Sequence, residues 1–475
     1  MTTIPDTAVS CNRRVHIVLI PGFGGFDALG RIEYYTGTTE RLQRWLAAGG
    51  SRGQAVVLHY FDDLPTAAVA TRAERLRAYL AKRIARREIE DGDSIALVGH
   101  STGGLDIRRL LFPKGRPPEL HVDGGAAVGA RTRATAMYVD HPTILNKVTR
   151  VVFISVPQYG TNIADWVRGH APLRRVVIAD LGWGIRRRRG PEVLSSLLCQ
   201  LGRLAREPDL VLAARDALNE TRASRKEPIR RANAEEAASQ LRLWVQLMVD
   251  DFAVIDDLAS FTNPQKNSAS PAHYSEVDRR DERDQWQKYG IQTMSIATVG
   301  RRAFKFKAGE LAAPFDFRNP RTWPTEQLVD DAGQMDISYL LTNRACAGGS
   351  FRIRNSTFPT SLVELSEDIA NLNSSLFDDA KLGPCGPKPG EALEVWDNDG
   401  IVTTASMLWP NGGETRLVAA DHLDIVGHYV LRKTIPSPDA SGRRYTSVDA
   451  LKSHTEFAQD EFDQVWKDVF DFCVS

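Results

Sequence analysis

The most chemically informative residue of this 475-residue chain is a serine in a short turn flanked by glycines. Gly99, His100, Ser101, Thr102 and Gly103 form a G-x-S-x-G pentapeptide between an apolar run and a helical pattern. A strand that turns sharply into a helix at a serine leaves the hydroxyl exposed above the sheet, and small residues give this turn room. The pattern predicts a nucleophilic serine. A glycine-rich turn that merely contains a serine is the alternative.

A nucleophilic serine needs a base, because its hydroxyl attacks poorly at neutral pH, and the base needs an orienting carboxylate. After a turn of this kind the expected chain order is serine, acid, histidine. His422 directly follows a predicted strand at 414–420 and is the predicted base. His428 and His454 lie in helical patterns, and we interpret them as packing or surface residues.

The segment WDNDGIV offers Asp397 and Asp399 as the acid, with Glu394 a more distant candidate. Asp399 is favoured because it lies 23 residues before His422 and follows a predicted strand at 291–300. The alternative is that Asp399 only caps the N-D-G turn.

A second glycine-rich loop, GFGG at 22–25, follows an apolar strand predicted at 15–20. A dinucleotide-binding loop would need another glycine where Asp27 stands, so we disfavour a nucleotide site. Acyl transfer instead requires backbone N–H groups aimed at the oxygen that becomes negative. We therefore expect the amides of Phe23 and Thr102 to form an oxyanion hole.

Four motifs together resemble the α/β-hydrolase superfamily and, within it, the bacterial triacylglycerol lipases and esterases. They are LIPGFGG at 19–25, VGHSTGG at 98–104, NDGIV at 398–402 and DHLDIVG at 421–427. The resemblance implies Ser101 as nucleophile, Asp399 as acid, His422 as base, and Phe23 with Thr102 as oxyanion donors. It implies no cofactor for the chemistry, but a structural calcium ion in some members, which would fall on Asp424. The chain departs from the family in having PG where many members have HG, and in its long insertions.

Short β-branched runs alternate with helical patterns, which predicts an α/β fold with a mostly parallel central sheet and helices on both faces. The predicted elements are strands at 15–20, 55–60, 150–156, 291–300 and 414–420, and helices at 66–88 and 456–472. Residues 1–168 and 288–475 are predicted to form two parts of the hydrolase core. Residues 169–287 are predicted to form a largely helical cap or lid, and about 303–390 a loop-rich insertion.

Two features of the predicted cap have alternative interpretations. The basic cluster at 185–189 is interpreted as a solvated face, with an anionic lipid surface as the alternative. The leucine face at 194–204 is interpreted as packing on the core, with a mobile lid stripe as the alternative.

The composition sets broader limits on partners and location. With 60 basic and 60 acidic residues the formal charge is zero, which disfavours nucleic acid as a partner. No signal peptide or transmembrane run is seen, so we expect a cytoplasmic protein, with a secreted form left open. The five cysteines are expected to be free thiols, or, in a secreted protein, Cys346 and Cys385 could pair.

These observations favour a carboxylic ester hydrolase that forms an acyl-enzyme and takes a small-molecule or lipid ester. An acyltransferase with the same triad, and a binding protein that kept the fold without turnover, are the alternatives.

Overall fold

The computed structural model describes a parallel six-stranded sheet with helices on both faces. The described residues are 13–25, 28–29, 32–51, 53–114, 121–123, 136–161, 164, 251, 253–259, 270–299, 399, 401–402, 404–409, 413–429, 434–436, 444–446 and 457–475. The sheet strands are β1 (Arg14–Ile20), β4 (Ala55–Tyr60), β5 (Ser94–His100), β8 (Val148–Ile154), β9 (Gln292–Val299) and β10 (Glu414–Ala419). Their order across the sheet is β10-β9-β8-β5-β1-β4, with every neighbouring pair parallel.

The remaining described elements are helices, short 3₁₀ turns and three two-stranded pairings. The helices are α1 (Thr38–Ala47), α2 (Val69–Ala85), α3 (Thr102–Leu111), α4 (His141–Lys147), α5 (Val254–Leu258), α6 (Glu276–Lys288) and α7 (Gln459–Val474). The 3₁₀ turns are Pro271–His273, Thr404–Met407 and Asp424–Val426. The small strands are β2 (Ala28–Leu29), β3 (Ile32–Glu33), β6 (His121–Asp123), β7 (Ala136–Tyr138), β11 (Thr434–Pro436) and β12 (Arg444–Thr446).

The central strands are largely buried because both faces of the sheet are covered. One face packs on α2, α3 and α4 through a core that includes Leu76, Leu105 and Ile144. The other face packs on α1 and α7, with Trp45 and Trp466 in its core. The predicted fold class, a mostly parallel sheet with helices on both faces, is confirmed.

The predicted strands occur at their expected places, and the differences are at the ends. The strand predicted at 150–156 runs from Val148 to Ile154, because Ser155 leaves the extended conformation at φ 50°. The helix predicted at 66–88 is shorter and spans Val69–Ala85. The closing helix, predicted at 456–472, spans Gln459–Val474.

Several predictions fall outside the described residues. They are the basic cluster at 185–189, the leucine face at 194–204, the insertion at about 303–390, Asp397, Glu394, His454, Cys346 and Cys385. Of the predicted cap, α5 and most of α6 are described, and both are helical. In the described part of the chain, no helix combines the length and apolar character needed to span a membrane. Cys473 is a buried free thiol.

Candidate active site

The predicted site residues lie where the parallel strands end, at the carboxyl edge of the sheet. Ser101 directly follows β5, and Phe23 lies three residues after the end of β1. His422 lies three residues after the end of β10. Asp399 comes from a distant part of the sequence, but its carboxylate contacts Thr298, the next-to-last residue of β9. The topology therefore brings four separate loops to one place.

Ser101 occupies a strained position in a tightly packed turn. Its φ of 53° and ψ of −128° are unusual for a residue with a side chain. Its amide donates to the carbonyl of Ile154 at 2.9 Å, which fixes the turn against β8. A Cβ on Gly22 would lie 2.5 Å from the Ser101 Cβ, and one on Gly103 would lie 2.5 Å from the Ile20 carbonyl oxygen. The glycines therefore let the two loops approach closely.

His422 and Asp399 are paired and buried. His422 Nδ1 and Asp399 Oδ2 are 2.7 Å apart, and the two residues are 3% and 0% exposed. Since an ionised carboxylate only accepts hydrogen bonds, Nδ1 carries the proton in this pair and Nε2 of the neutral ring is left as the acceptor. Asp399 Oδ1 also accepts the amides of Ile401 at 3.0 Å and Val402 at 2.8 Å.

Two hydroxyl groups, those of Thr298 and Ser155, support the Asp399 carboxylate through hydrogen bonds. Thr298 Oγ1 donates to Asp399 Oδ2 at 2.7 Å, and Ser155 Oγ lies 2.7 Å from Thr298 Oγ1. Because the Thr298 proton points at the carboxylate, Ser155 is the donor in the second contact. The positive φ of Ser155 places it at this position. Neither residue is recognisable from the sequence, because a threonine or serine at the end of a buried strand has no distinctive pattern.

The loop after β1 is held by a buried guanidinium. Arg72 Nη2 donates to the carbonyl of Pro21 at 2.9 Å and, more weakly, to that of Gly22 at 3.4 Å. The Gly22 carbonyl also accepts the Gly25 amide at 2.9 Å. In a trans peptide the N–H points opposite to the C=O, so the Phe23 amide is directed away from Arg72. Fixing one peptide plane thereby aims the predicted oxyanion donor.

Two buried carboxyl groups hold Arg72 in turn. Arg72 pairs with Asp106 of α3 at 2.8 Å and with Asp63 at 3.1 Å, and the three side chains are fully buried. Burial raises the pKa of both carboxyl groups, against the opposing effect of the guanidinium. The cluster connects α2 and the helix that follows Ser101 to the glycine loop.

Asp424, the residue that the resemblance implied for calcium, takes part in a local turn. Its Oδ2 accepts the amide of Asp421 at 2.8 Å, while Asp421 Oδ1 accepts the amides of Leu423 and Asp424. Within the described ranges, no group of three or more histidine, cysteine, aspartate or glutamate side chains is arranged to hold a metal. The described side chains therefore do not fit a calcium site by themselves, and the metal stays a prediction.

Of the two histidines that we interpret as packing or surface residues, one lies in the described part of the chain. His428 is buried, as a packing residue should be, and burial lowers its pKa to about 4. His454 lies outside the described part of the chain.

Comparisons with known proteins give matches among solved structures alone. No family model matches, and no curated protein matches. A lipase from Staphylococcus hyicus is 12% identical over 100% of this chain and 98% of its own, with a TM-score of 0.38. EstA from Clostridium botulinum is 14% identical over 88% and 83%, with a TM-score of 0.33. Lipase 1 from Pelosinus fermentans is 14% identical over 87% and 93%, with a TM-score of 0.35.

The parallel sheet order, the helices on both faces and the strained serine turn after β5 agree with the architecture that the sequence motifs imply. The chain has an α/β-hydrolase fold.

Proposed function

We propose that this protein is a serine hydrolase that cleaves carboxylic esters through an acyl-enzyme intermediate. Ser101 is the nucleophile, His422 is the general base and acid, and Asp399 orients the imidazole. The backbone amides of Phe23 and Thr102 bind the oxyanion. The observation that carries this proposal is the buried 2.7 Å contact between His422 and Asp399, at the edge of the sheet where the strained Ser101 lies.

In the first half-reaction, Ser101 Oγ attacks the ester carbonyl carbon while His422 Nε2 takes the hydroxyl proton. The carbonyl oxygen becomes negative and accepts hydrogen bonds from the two amides. The bond to the alcohol oxygen then breaks, and His422 returns its proton to the departing alcohol. Water repeats these steps on the acyl-serine and releases the carboxylic acid, which restores the free serine.

Each part of the site has a physical reason to serve this chemistry. The carboxylate of Asp399 accepts four hydrogen bonds and is fully buried, so it is well placed to hold one imidazole tautomer. Thr102 begins α3, where backbone N–H groups lack partners within the helix. Phe23 lies in the glycine loop three residues after β1 and is 39% exposed.

A fluorophosphonate probe tests the proposal, because only an activated serine reacts with it. We expect stoichiometric labelling at Ser101, no labelling of Ser101→Ala, and a loss of ester hydrolysis of at least about 10⁴-fold in that variant. Ser295→Ala is the matched control, because Ser295 is buried and its hydroxyl binds the carbonyl of Met407 instead. An inert wild-type protein would overturn the proposal and favour a binding protein, and equal labelling of Ser101→Ala would overturn it by showing that another residue reacts.

The substrate class is tested with p-nitrophenyl esters of increasing chain length, with and without a chelator. We expect turnover of carboxylic esters, and activity on short chains alone would make the protein an esterase. Loss of activity with the chelator would support a structural calcium at Asp424. Transfer of the acyl group to an added alcohol, in place of hydrolysis, would favour the acyltransferase alternative.

A further inference from the structure

Two buried side chains outside the proposed triad connect the glycine loop to the loop of the base. The amide of Gly22 donates to the Tyr34 hydroxyl at 2.8 Å. That hydroxyl lies 2.7 Å from His100 Nδ1, and His100 Nε2 lies 2.9 Å from the backbone carbonyl of His422. Tyr34 is 7% exposed and His100 is fully buried.

The donor and acceptor in each hydrogen bond of this series follow from the groups at its two ends, the Gly22 amide and the His422 carbonyl. The His422 carbonyl can only accept, so His100 Nε2 carries the proton and Nδ1 accepts. The Tyr34 hydroxyl therefore donates to Nδ1, which leaves its oxygen as the acceptor for the Gly22 amide. Burial holds the pKa of His100 well below its ordinary value, so the ring is neutral and this single arrangement persists.

The two ends of this series of hydrogen bonds lie on the loops whose groups must meet in the reaction. Gly22 precedes Phe23, whose amide is the proposed oxyanion donor, and its Cα packs beside Ser101. The His422 carbonyl belongs to the residue that carries the proposed base. The His100 and His422 rings also contact each other, with centroids 4.6 Å apart. His100 itself precedes the nucleophile in the sequence.

We propose that Tyr34 and His100 are positioning residues that set the spacing between the oxyanion loop and the base loop. The inference rests on the proposed function for its catalytic consequence. Neither side chain is assigned a proton-transfer step. Their hydroxyl and imidazole instead form a rigid connection, which holds both loops in the geometry that the transition state requires.

Tyr34→Phe tests this role because it removes the hydroxyl and keeps the ring. We expect kcat to fall by about 10- to 100-fold while KM changes by less than about 2-fold, since small misplacements near the reacting atoms cost rate more than binding. Tyr274→Phe is the matched control. Tyr274 is also buried, and its hydroxyl donates to the Phe112 carbonyl, away from the connection to His422. That control should lose comparable stability and retain its kcat.

His100→Gln provides a second variant, in case Tyr34→Phe does not fold. It keeps a donor that can reach the His422 carbonyl but removes the ring acceptor of the Tyr34 hydroxyl. Because both side chains belong to one chain of hydrogen bonds, the double variant should lose no more kcat than the worse single variant. Losses that multiply, or a kcat equal to that of Tyr274→Phe, would overturn the proposal.

Nitrogen-15 spectra of histidine-labelled protein separate this proposal from the proposed function. The wild-type protein should show His100 protonated at Nε2, and Tyr34→Phe should shift the ring signals of His422 whereas Tyr274→Phe should not. Unshifted His422 signals in Tyr34→Phe would overturn the positioning role even if Ser101 reacts with the probe. Shifted signals in a protein whose Ser101 is inert would support the connection and overturn the hydrolase.

Discussion

At the scale of single residues, the proposed site depends on the hydrogen bonds that the buried Asp399 carboxylate accepts. Asp399 accepts from two amides, one hydroxyl and one imidazole, all within 3.0 Å. A buried carboxylate without such partners would pay a large desolvation cost and tend to take up a proton. The hydroxyl of Thr298 is the partner that a substitution can remove without disturbing the backbone.

Thr298→Val is therefore expected to reduce kcat by about 10-fold or more and to destabilise the fold by about 1–3 kcal/mol, because Asp399 loses a buried donor. Steady-state kinetics on a p-nitrophenyl ester and urea unfolding measure the two effects. Thr66→Val is the matched control, since the buried Thr66 hydroxyl binds the carbonyl of Asp251. An equal kcat loss in both variants would show that the effect is not specific to the carboxylate.

The candidate residues that the sequence indicates are those with a local pattern. Ser101 stands in a pentapeptide and His422 follows a strand, and these patterns make both of them candidates for the proposed site. Thr298, Tyr34 and Arg72 act through contacts between distant segments, and a single sequence contains no signal for such contacts. Spacing favours Asp399 over Asp397; Asp399 contacts His422, and Asp397 lies outside the described residues.

At the scale of elements, a charged cluster joins α2 and α3 next to the glycine loop, in addition to their apolar contacts. Arg72 projects from α2 to Asp106 on α3 and to two loop carbonyls. The same helix carries Arg75, which lies 3.5 Å from Asp62 in a pair of exposed side chains. The two arginines allow a direct comparison of a buried ion pair with a surface pair.

Arg72→Met is expected to destabilise the fold by about 3–5 kcal/mol, because it leaves buried carboxyl groups without their cation. Arg75→Met should cost about 1 kcal/mol or less. The free energies of unfolding in urea give the comparison, and kcat should fall for Arg72→Met alone, since that side chain holds the glycine loop. Equal stability losses would contradict the assignment of Arg72 as the central charge of the cluster.

The element boundaries show where pattern reasoning stops. The pattern at 55–60 predicted β4 at its observed bounds, and β9 begins and ends within one residue of its predicted bounds. The end of β8 was missed by two residues because Ser155 turns to support Thr298. That turn depends on a contact with a residue distant in sequence, whereas the valine-rich sequence before it favours a strand that continues.

At the scale of the whole molecule, buried neutral histidines make the fold sensitive to acid. Burial lowers the pKa of His428 from its ordinary 6.5 to about 4, although interactions with the backbone of Glu33 and Tyr34 oppose the shift. Between these two values the unfolded chain takes up a proton that the folded chain refuses. The stabilisation is therefore fully present above pH 6.5 and is lost as the pH falls toward 4.

His428→Gln should consequently show a shallower decline of its thermal midpoint between pH 6.5 and 4.5 than the wild-type protein. Thermal unfolding followed by circular dichroism at several pH values measures both slopes. The variant has a lower midpoint at neutral pH, because a buried ring is replaced, but the comparison is between slopes. Parallel curves would contradict the assignment of a depressed pKa to His428.

The strand order also has a consequence for how the protein is made. The strands β1, β4, β5 and β8 all lie before residue 155, whereas β9 and β10 begin after residue 291. A ribosome therefore releases the segment with Ser101 and its supporting strands long before it has translated Asp399 and His422. During that interval the nascent chain lacks the proposed base, so the proposed site can become competent only after residue 422 has been translated.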